Sequence, residues 1–441
     1  MMSERREAPF LCHTLPELGE CYYEALHPSG LRVAVYPRAQ ATYYATLGVR
    51  YGSLNRRGPD ECPGIAHFME HKMFETADGG DADSAFAALG ADANAFTTYD
   101  RTTYQFTCTE HFEEALAVLL RLTGGLYVTE ASVERERAII AEEIRMDTDN
   151  PWSRCYANLL RAMYRRHPIR EPVCGSQRSI AGLTPERLNR VFDRRYTLPD
   201  MVLSVTGPVT PEAVWDTVCR TLDGQPGRLV PGHSDRPRRG PGANILDEPP
   251  GVWRRRVSAS MPVAKPLFCL GIKDPFPPVS PRDRLRRELY MAVLQEMLFS
   301  DAGAFYNDLF ERGLVSQGLS YDFTVETGCA LYDLTGEADD PEAVFDAFLA
   351  YMDRRHREGF TAEEFERARR IQYADFVTGF DAAEDIAESV LCCTLGGLSL
   401  FDYFTEAERL TLAEAEHLFL TTFRPGQYAL SVIKPCTAGQ K

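Results

Sequence analysis

The 441-residue chain lacks the features that would direct it to a membrane or to nucleic acid. No apolar run approaches the roughly 20 residues of a membrane span. The first nine residues are charged and have no apolar core, so they do not resemble a signal peptide. A formal net charge of −16 opposes binding to a nucleic-acid backbone or an anionic membrane. We therefore expect neither nucleic acid nor membrane as the main partner.

The twelve cysteines also lack a pattern, since none of them forms the C-x-x-C spacing of structural zinc or redox sites. Scattered thiols without an export signal are typical of the reducing cytoplasm, which is the compartment we predict. The length exceeds that of a single hydrophobic core and predicts two or more domains.

The most informative pattern that is present is His67-Phe68-Met69-Glu70-His71. Two histidines four residues apart share one face of a helix, and Glu70 lies at the flank of that face. Two imidazoles and a carboxylate in this arrangement suit a zinc ion and its water. The alternative is a pair of solvated histidines. The preceding Pro63-Gly64, a helix-start signal, and the apolar neighbours favour a buried helix and the metal site.

A third ligand is predicted on a later helix, over about 130–147. On a helical wheel Glu143 falls inside an apolar stripe, whereas Glu142 falls outside it; the stripe consists of Val133, Ile139, Ile140 and Ile144. A carboxylate in a buried stripe needs a partner, which is either an internal salt bridge or a metal. Because catalytic zinc usually has three protein ligands, the first motif favours Glu143 as the third. Glu136, two turns earlier, is predicted to orient a histidine or the water, and Glu134 is predicted to be solvated, like Glu142.

These residues resemble the pitrilysin/insulysin family of zinc metallopeptidases, which includes the mitochondrial processing peptidases. The family carries H-x-x-E-H on one helix and two glutamates seven apart on a later helix, here Glu136 and Glu143. Lys72, directly after the second histidine, is similar to the bacterial YmfH-like branch. The resemblance implies one Zn²⁺ per chain, bound by His67, His71 and Glu143, with Glu70 as general base.

The resemblance also implies a mode of substrate binding. In the family, an Asn-Ala-Phe-Thr strand forms the sheet edge to which the substrate peptide adds; here it consists of Asn94, Ala95, Phe96 and Thr97. Tyr321 resembles a family tyrosine that contacts the substrate backbone together with an arginine seven residues earlier. Leu314 stands at that position, so either Arg312 or a partner subunit would have to supply the arginine. An ordinary strand tyrosine is the competing interpretation of Tyr321.

A segment rich in proline, glycine and charge at 223–250 is predicted to be a linker. It separates an N-terminal zinc-binding catalytic domain (1–222) from a C-terminal domain of the same fold without a metal site (251–441). The order strand, helix, strand pair, helices, strand recurs on both sides, which indicates a diverged duplication of the α+β class; the helix at 283–299 has no histidine. The resemblance implies that each half is a mostly antiparallel sheet with helices on one face, the two facing each other as a clam-shell.

The predicted function is that of a zinc-dependent metalloendopeptidase that hydrolyses peptides or unfolded segments bound in extended conformation. One alternative is the catalytic subunit of a heterodimeric processing peptidase that needs a partner for activity; the other is a non-catalytic binding or scaffold homologue. We expect a homodimer, or a heterodimer with a related family member. A purely structural zinc is disfavoured, because such sites are usually closed by four Cys or His ligands.

Overall fold

The computed structural model describes residues 10–76, 80–223 and 248–436. Residues 1–9, on which the signal-peptide prediction was based, and most of the predicted linker 223–250 lie outside this part of the chain. Within it, no helix is long and apolar enough to cross a membrane.

Strands and helices alternate along the described residues. The strands are β1 (Leu11–Leu15), β2 (Glu20–Leu26), β3 (Arg32–Pro37), β4 (Tyr43–Val49), β5 (Asp92–Thr97), β6 (Thr102–Cys108), β7 (Met201–Gly207), β8 (Arg256–Met261), β9 (Leu267–Lys273), β10 (Ser320–Glu326), β11 (Cys329–Glu337) and β12 (Tyr428–Pro435). The helices are α1 (Ile65–Lys72), α2 (Ala82–Ala88), α3 (Phe112–Leu122), α4 (Glu130–Asp149), α5 (Pro151–Met163), α6 (Gln177–Ile180), α7 (Pro185–Arg195), α8 (Pro211–Asp223), α9 (Pro281–Phe299), α10 (Ala304–Glu311), α11 (Pro341–Glu358), α12 (Ala362–Thr378), α13 (Ala383–Gly396), α14 (Asp402–Ala407) and α15 (Leu412–Thr422).

The chain divides into two compact units, each built on one sheet. The first unit contains Met1–Ala141, Val173–Gly240 and Val377–Tyr403; the second contains Glu142–Pro172, Pro241–Phe376 and Phe404–Lys441. Each unit thus includes a segment from the other half of the chain. The predicted domain limits, 1–222 and 251–441, are based on the repeated order of elements in the sequence. They stay a prediction.

The sheet of the first unit has the strand order β1-β2-β3-β7-β4-β6-β5. Its pairs are antiparallel except β3 with β7, which is parallel. The central strand β7 is buried along its whole length, as its largely apolar sequence predicts. Strand β5 is terminal, so one of its edges is paired with no other strand of the described chain.

The sheet of the second unit has the order β10-β11-β9-β12-β8 and again contains one parallel pair, β12 with β8. Both sheets are therefore mostly antiparallel, and the predicted α+β class is confirmed. The strand predicted at 201–207 is Met201–Gly207, and the helix predicted at 341–358 is Pro341–Glu358, so both have the predicted ends. Most other predicted elements are present with ends shifted by a few residues. Strands β1, β2 and β8 and helices α2, α8, α10, α13, α14 and α15 were not predicted.

Helices lie on both faces of the first sheet, which corrects the expectation of one covered face. Phe112 of α3 stacks on Tyr43 of β4, with ring centroids 4.9 Å apart. Gly48 of the same strand points to the opposite face, because side chains alternate along a strand. There it faces Leu391 of α13, which packs with Val202 in one buried cluster. Helix α13 comes from the C-terminal half, so local sequence could not reveal that it covers this face.

The second sheet has a matching arrangement, with the contribution of the halves reversed. Helix α5, from the N-terminal half, packs against β9, β12 and β8. Gly271 of β9 faces this helix, since a Cβ built on it would overlap the Met163 sulfur and lie 2.9 Å from Leu159 Cδ1. On the opposite face, Phe348 of α11 contacts Tyr428 at a centroid distance of 5.0 Å. In each sheet, a strand glycine thus leaves room for the helix that packs on it: Gly48 for α13 and Gly271 for α5.

We predict that Gly271→Ala lowers the free energy of unfolding by about 1–3 kcal/mol, the usual cost of overpacking a filled core. The methyl group must displace Met163 and Leu159 of α5. The midpoint of urea unfolding measures the effect. Gly125→Ala is the matched control, because no atom lies within 4 Å of a Cβ at that position. Equal midpoints for the two variants would contradict close packing of α5 at Gly271.

Candidate metal centre

Two glycines fix the start of α1. Gly64 precedes the helix with φ 89°, and a Cβ on it would overlap the carbonyl of Cys174. Gly175 has φ 75°, and a Cβ there would lie 2.5 Å from the Pro63 carbonyl oxygen. Only glycine adopts these backbone angles at such close approach without strain. The helix start predicted at Pro63-Gly64 is confirmed, since α1 begins at Ile65.

The apolar residues of helix α1 are buried in the core, and its polar residues lie beside them. Phe68 and Met69 are fully buried, and Glu70 is only 8% exposed. The rings of His67 and His71 lie side by side, with centroids 4.7 Å apart. The predicted sharing of one helix face by the two histidines is therefore present in the structure.

Three side chains converge on one point. His67, His71 and Glu143 each offer one ligand atom, and these atoms all lie within 4.8 Å of one another. No other group of this kind with three or more His, Cys, Asp or Glu occurs in the described ranges. Two imidazoles and one carboxylate form the three-ligand donor set of catalytic zinc sites, so the residues present fit Zn²⁺.

Helix α4 presents its two glutamates two turns apart. Oε1 of Glu136 lies 3.0 Å from Nδ1 of His71, so this carboxylate can accept the Nδ1 proton and leave Nε2 for a metal. This contact is what the predicted orienting role of Glu136 requires, and the role itself stays a prediction. Glu142 and Glu134 are exposed and pair with Arg145 and Arg137, in agreement with their prediction as surface charges.

The apolar stripe inferred for α4 needs correction. Ile139 is 51% exposed, and the buried residues of the helix are Ser132, Val133 and Ile140. Glu143 is half-buried rather than enclosed in a stripe. The wheel singled out the glutamate that converges with the two histidines because Glu143 and Glu136 share a face. It could not show that no apolar layer covers Ile139.

The general-base candidate contacts the candidate substrate strand. Thr97, the last residue of β5, donates its hydroxyl proton to Oε2 of Glu70. Since side chains alternate, Ala95 shares the α1 face with Thr97, whereas Asn94 and Phe96 point to the α13 face. The open edge of β5 therefore ends beside Glu70. This contact between Thr97 and Glu70 was not predicted from the sequence.

Tyr321 and Arg312 belong to the second unit. Tyr321 lies in β10, the terminal strand of that sheet, and pairs with Leu334 of β11. Burial raises the pKa of its hydroxyl. Arg312 follows α10, and its guanidinium lies 2.9 Å from Oδ2 of Asp308. The substrate-contacting role of Tyr321 stays a prediction.

Burial and, to a smaller extent, nearby His71 lower the pKa of His67 to about 4, while Glu136 opposes the shift. An unfolded histidine titrates near 6.5, so the unfolded state binds the proton more tightly. We expect metal-free protein to lose on the order of 2 kcal/mol of stability from this group as the pH falls from 6.5 to 4. Urea unfolding at pH 7 and pH 4.5 measures it. The His67→Gln variant should lack this loss of stability between pH 7 and pH 4.5. A loss equal to that of the parent would refute the prediction.

The comparison with known proteins agrees with the fold and this donor set. Residues 32–177 match the insulinase model of peptidase family M16, and residues 182–372 match the model described as the M16 inactive domain. The chain is 33% identical over 411 residues to a zinc protease of Bacillus subtilis, across 91% of this chain and 94% of that protein. It therefore belongs to peptidase family M16, the insulinase or pitrilysin family, as its motifs indicated.

The Bacillus subtilis relative is the uncharacterized zinc protease YmfH. The solved structure of a putative M16-like peptidase from Alicyclobacillus acidocaldarius superposes with a TM-score of 0.85 at 28% identity, covering 98% of this chain and all of that one. A protease from Helicobacter pylori superposes with a TM-score of 0.79 at 19% identity, over 94% of this chain and 100% of that one, which supports the fold alone.

Proposed function

We propose that the protein is a zinc-dependent metalloendopeptidase that cleaves peptides or unfolded segments bound in extended conformation. The observation that carries this proposal is the convergence of His67, His71 and Glu143 within 4.8 Å. The contact of Glu70 with the end of the open strand β5 supports it, because it brings a base and a peptide-binding edge together.

In this mechanism, His67, His71 and Glu143 would hold the ion, and Glu136 would fix the ring of His71. When bound, Zn²⁺ would polarise the scissile carbonyl and lower the pKa of an attacking water to about 7. Glu70 removes a proton from that water and delivers it to the leaving nitrogen. Thr97 orients the Glu70 carboxylate through its hydroxyl.

The substrate would add to β5 as a further strand. Main-chain hydrogen bonds along Asn94, Ala95, Phe96 and Thr97 provide affinity in this mode, and they favour extended segments over any one side chain. In the unliganded edge, Oδ1 of Asn94 accepts the N–H of Ala95 at 2.9 Å. A bound peptide would replace that side-chain contact.

The test combines metal analysis with peptide cleavage. Protein purified without added zinc should contain one zinc per chain and cleave members of a peptide library. A matched pair of peptides, one N-methylated at alternate amides, tests strand addition, because methylation removes the donors of a β-ladder. We expect the methylated peptide to be cleaved at least tenfold more slowly. Absence of bound zinc would overturn the metal proposal, and equal cleavage would overturn the binding mode.

A second candidate is the catalytic subunit of a heterodimer. It is favoured by Leu314 at the position of the expected arginine and by the pairing of Arg312 with Asp308. Here a related family member would supply the second substrate contact. Cleavage rates and sedimentation of the purified chain, with and without such a partner, distinguish the candidates. Full activity of the isolated chain would count against the heterodimer; a zinc-loaded chain inactive in both conditions would favour a binding or scaffold homologue.

A further inference from the structure

Lys72 is a charged residue in an apolar setting. It is the last residue of α1, directly after His71, and its side chain is completely buried. Lysine is almost never fully buried unless it is paired. A charge in such a place persists only if other charges compensate for its lost hydration.

The ammonium group of Lys72 lies between two carboxylates. Its Nζ is 2.6 Å from Oε2 of Glu75 and 3.7 Å from Oε2 of Glu136. The other oxygen of Glu136 lies 3.0 Å from Nδ1 of His71. Lys72, Glu136 and His71 therefore form a continuous chain of polar contacts. Glu75 also pairs with Arg135, at 3.0 Å, on the outer side of this cluster.

We propose that Lys72 is a positioning residue for the metal centre, acting through Glu136. A carboxylate with one oxygen on an imidazole and the other beside an ammonium is restrained from rotating. Held in this way, Glu136 fixes the ring of His71 and directs its Nε2 atom to the place where the three candidate ligands converge. Without the ammonium, the carboxylates of Glu75 and Glu136 would face each other in a poorly hydrated region and repel. The inference rests on the zinc site of the proposed function.

The competing interpretation is that Lys72 only neutralises Glu75, which is the nearer carboxylate. Two variants separate the two roles. Lys72→Met/Glu75→Gln removes the ammonium and the Glu75 charge together, so no uncompensated charge remains at that pair. Glu75→Gln alone keeps the ammonium and leaves Glu136 as its carboxylate partner. Arg135→Gln is the matched control, since Arg135 is 66% exposed and its guanidinium lies 3.0 Å from Oε1 of Glu75, the oxygen that does not contact Lys72.

The readouts are zinc affinity, by competition with a chromophoric chelator, and the visible spectrum of the Co²⁺-substituted protein. We expect Lys72→Met/Glu75→Gln to bind zinc 10- to 100-fold more weakly, the range seen when outer partners of metal ligands are lost, with an altered Co²⁺ spectrum. Glu75→Gln and Arg135→Gln should stay within threefold of the parent. Thermal unfolding of the metal-free proteins checks the fold.

Parent-like zinc affinity in the double variant would overturn the proposal. A tenfold loss in Glu75→Gln would also overturn it, because the effect would then pass through Glu75, and this variant decides the matter if the double variant does not fold. A parent protein that binds no zinc would overturn the proposed function itself. That result differs from the case in which the parent binds zinc and the loss of Lys72 leaves the zinc affinity unchanged, which would overturn only the role of Lys72.

Discussion

Glu70→Gln will lower kcat/KM for peptide hydrolysis by about 10²–10⁴-fold, the contribution typical of a positioned general base. The amide has nearly the same shape and can still accept the hydroxyl of Thr97 through its oxygen, but it cannot take a proton from water. Zinc content and thermal unfolding should match the parent, because Glu70 lies outside the group formed by His67, His71 and Glu143.

The measurement is the initial rate on one library-derived peptide at saturating zinc. Glu134→Gln is the control; its carboxylate is 73% exposed and pairs with Arg137 on the outside of α4. That variant should cleave at the parent rate. If Glu70→Gln cleaves peptides as fast as the parent, another group is the base and the proposed mechanism is wrong.

Glu143→Gln will weaken zinc binding by more than about 100-fold, beyond the range that loss of an outer partner causes. The change removes the only anionic donor of the three-residue group, and a neutral amide is a poor zinc ligand. Chelator competition measures the affinity. Peptide cleavage should fall in parallel at limiting zinc and recover partly when zinc is added in excess.

The adjacent Glu142 provides a strict control for that experiment. It stands one residue away on the same helix, but it is 60% exposed and pairs with Arg145. Glu142→Gln should bind zinc like the parent. Equal losses in the two variants would show that the charge of α4, rather than the donor at position 143, holds the ion.

The arrangement of the candidate ligands within each of the two helices was largely predictable. Helical period alone places His67 beside His71 and Glu136 on the face of Glu143, since neither relation depends on tertiary packing. The exposure of Ile139 was not predictable, because a wheel finds a face without showing what covers it. The contact between Thr97 and Glu70 depends on how β5 meets α1, which no local period encodes.

The role of Lys72 illustrates a signal that was visible but not interpreted. In the sequence, a lysine at the end of an apolar helix, between His71 and Met73, indicates only a similarity to one branch of the family. Its complete burial and its two carboxylate partners emerge in the folded chain. The same limit applies to α13, which was not predicted: its docking on Val202 and Gly48 is a long-range property that local sequence does not encode.

The position of α13 in the first unit also has a consequence for synthesis. Oγ1 of Thr46 donates to Glu388, at a sequence separation of 342. On the ribosome, the sheet that packs against α1 is thus made early, but the face that α13 covers stays open until almost the entire protein has emerged. Contacts between residues far apart in sequence form slowly, and until they form, hydrophobic surface that promotes aggregation stays exposed. We infer that the nascent protein depends on chaperones more than a chain folding half by half would.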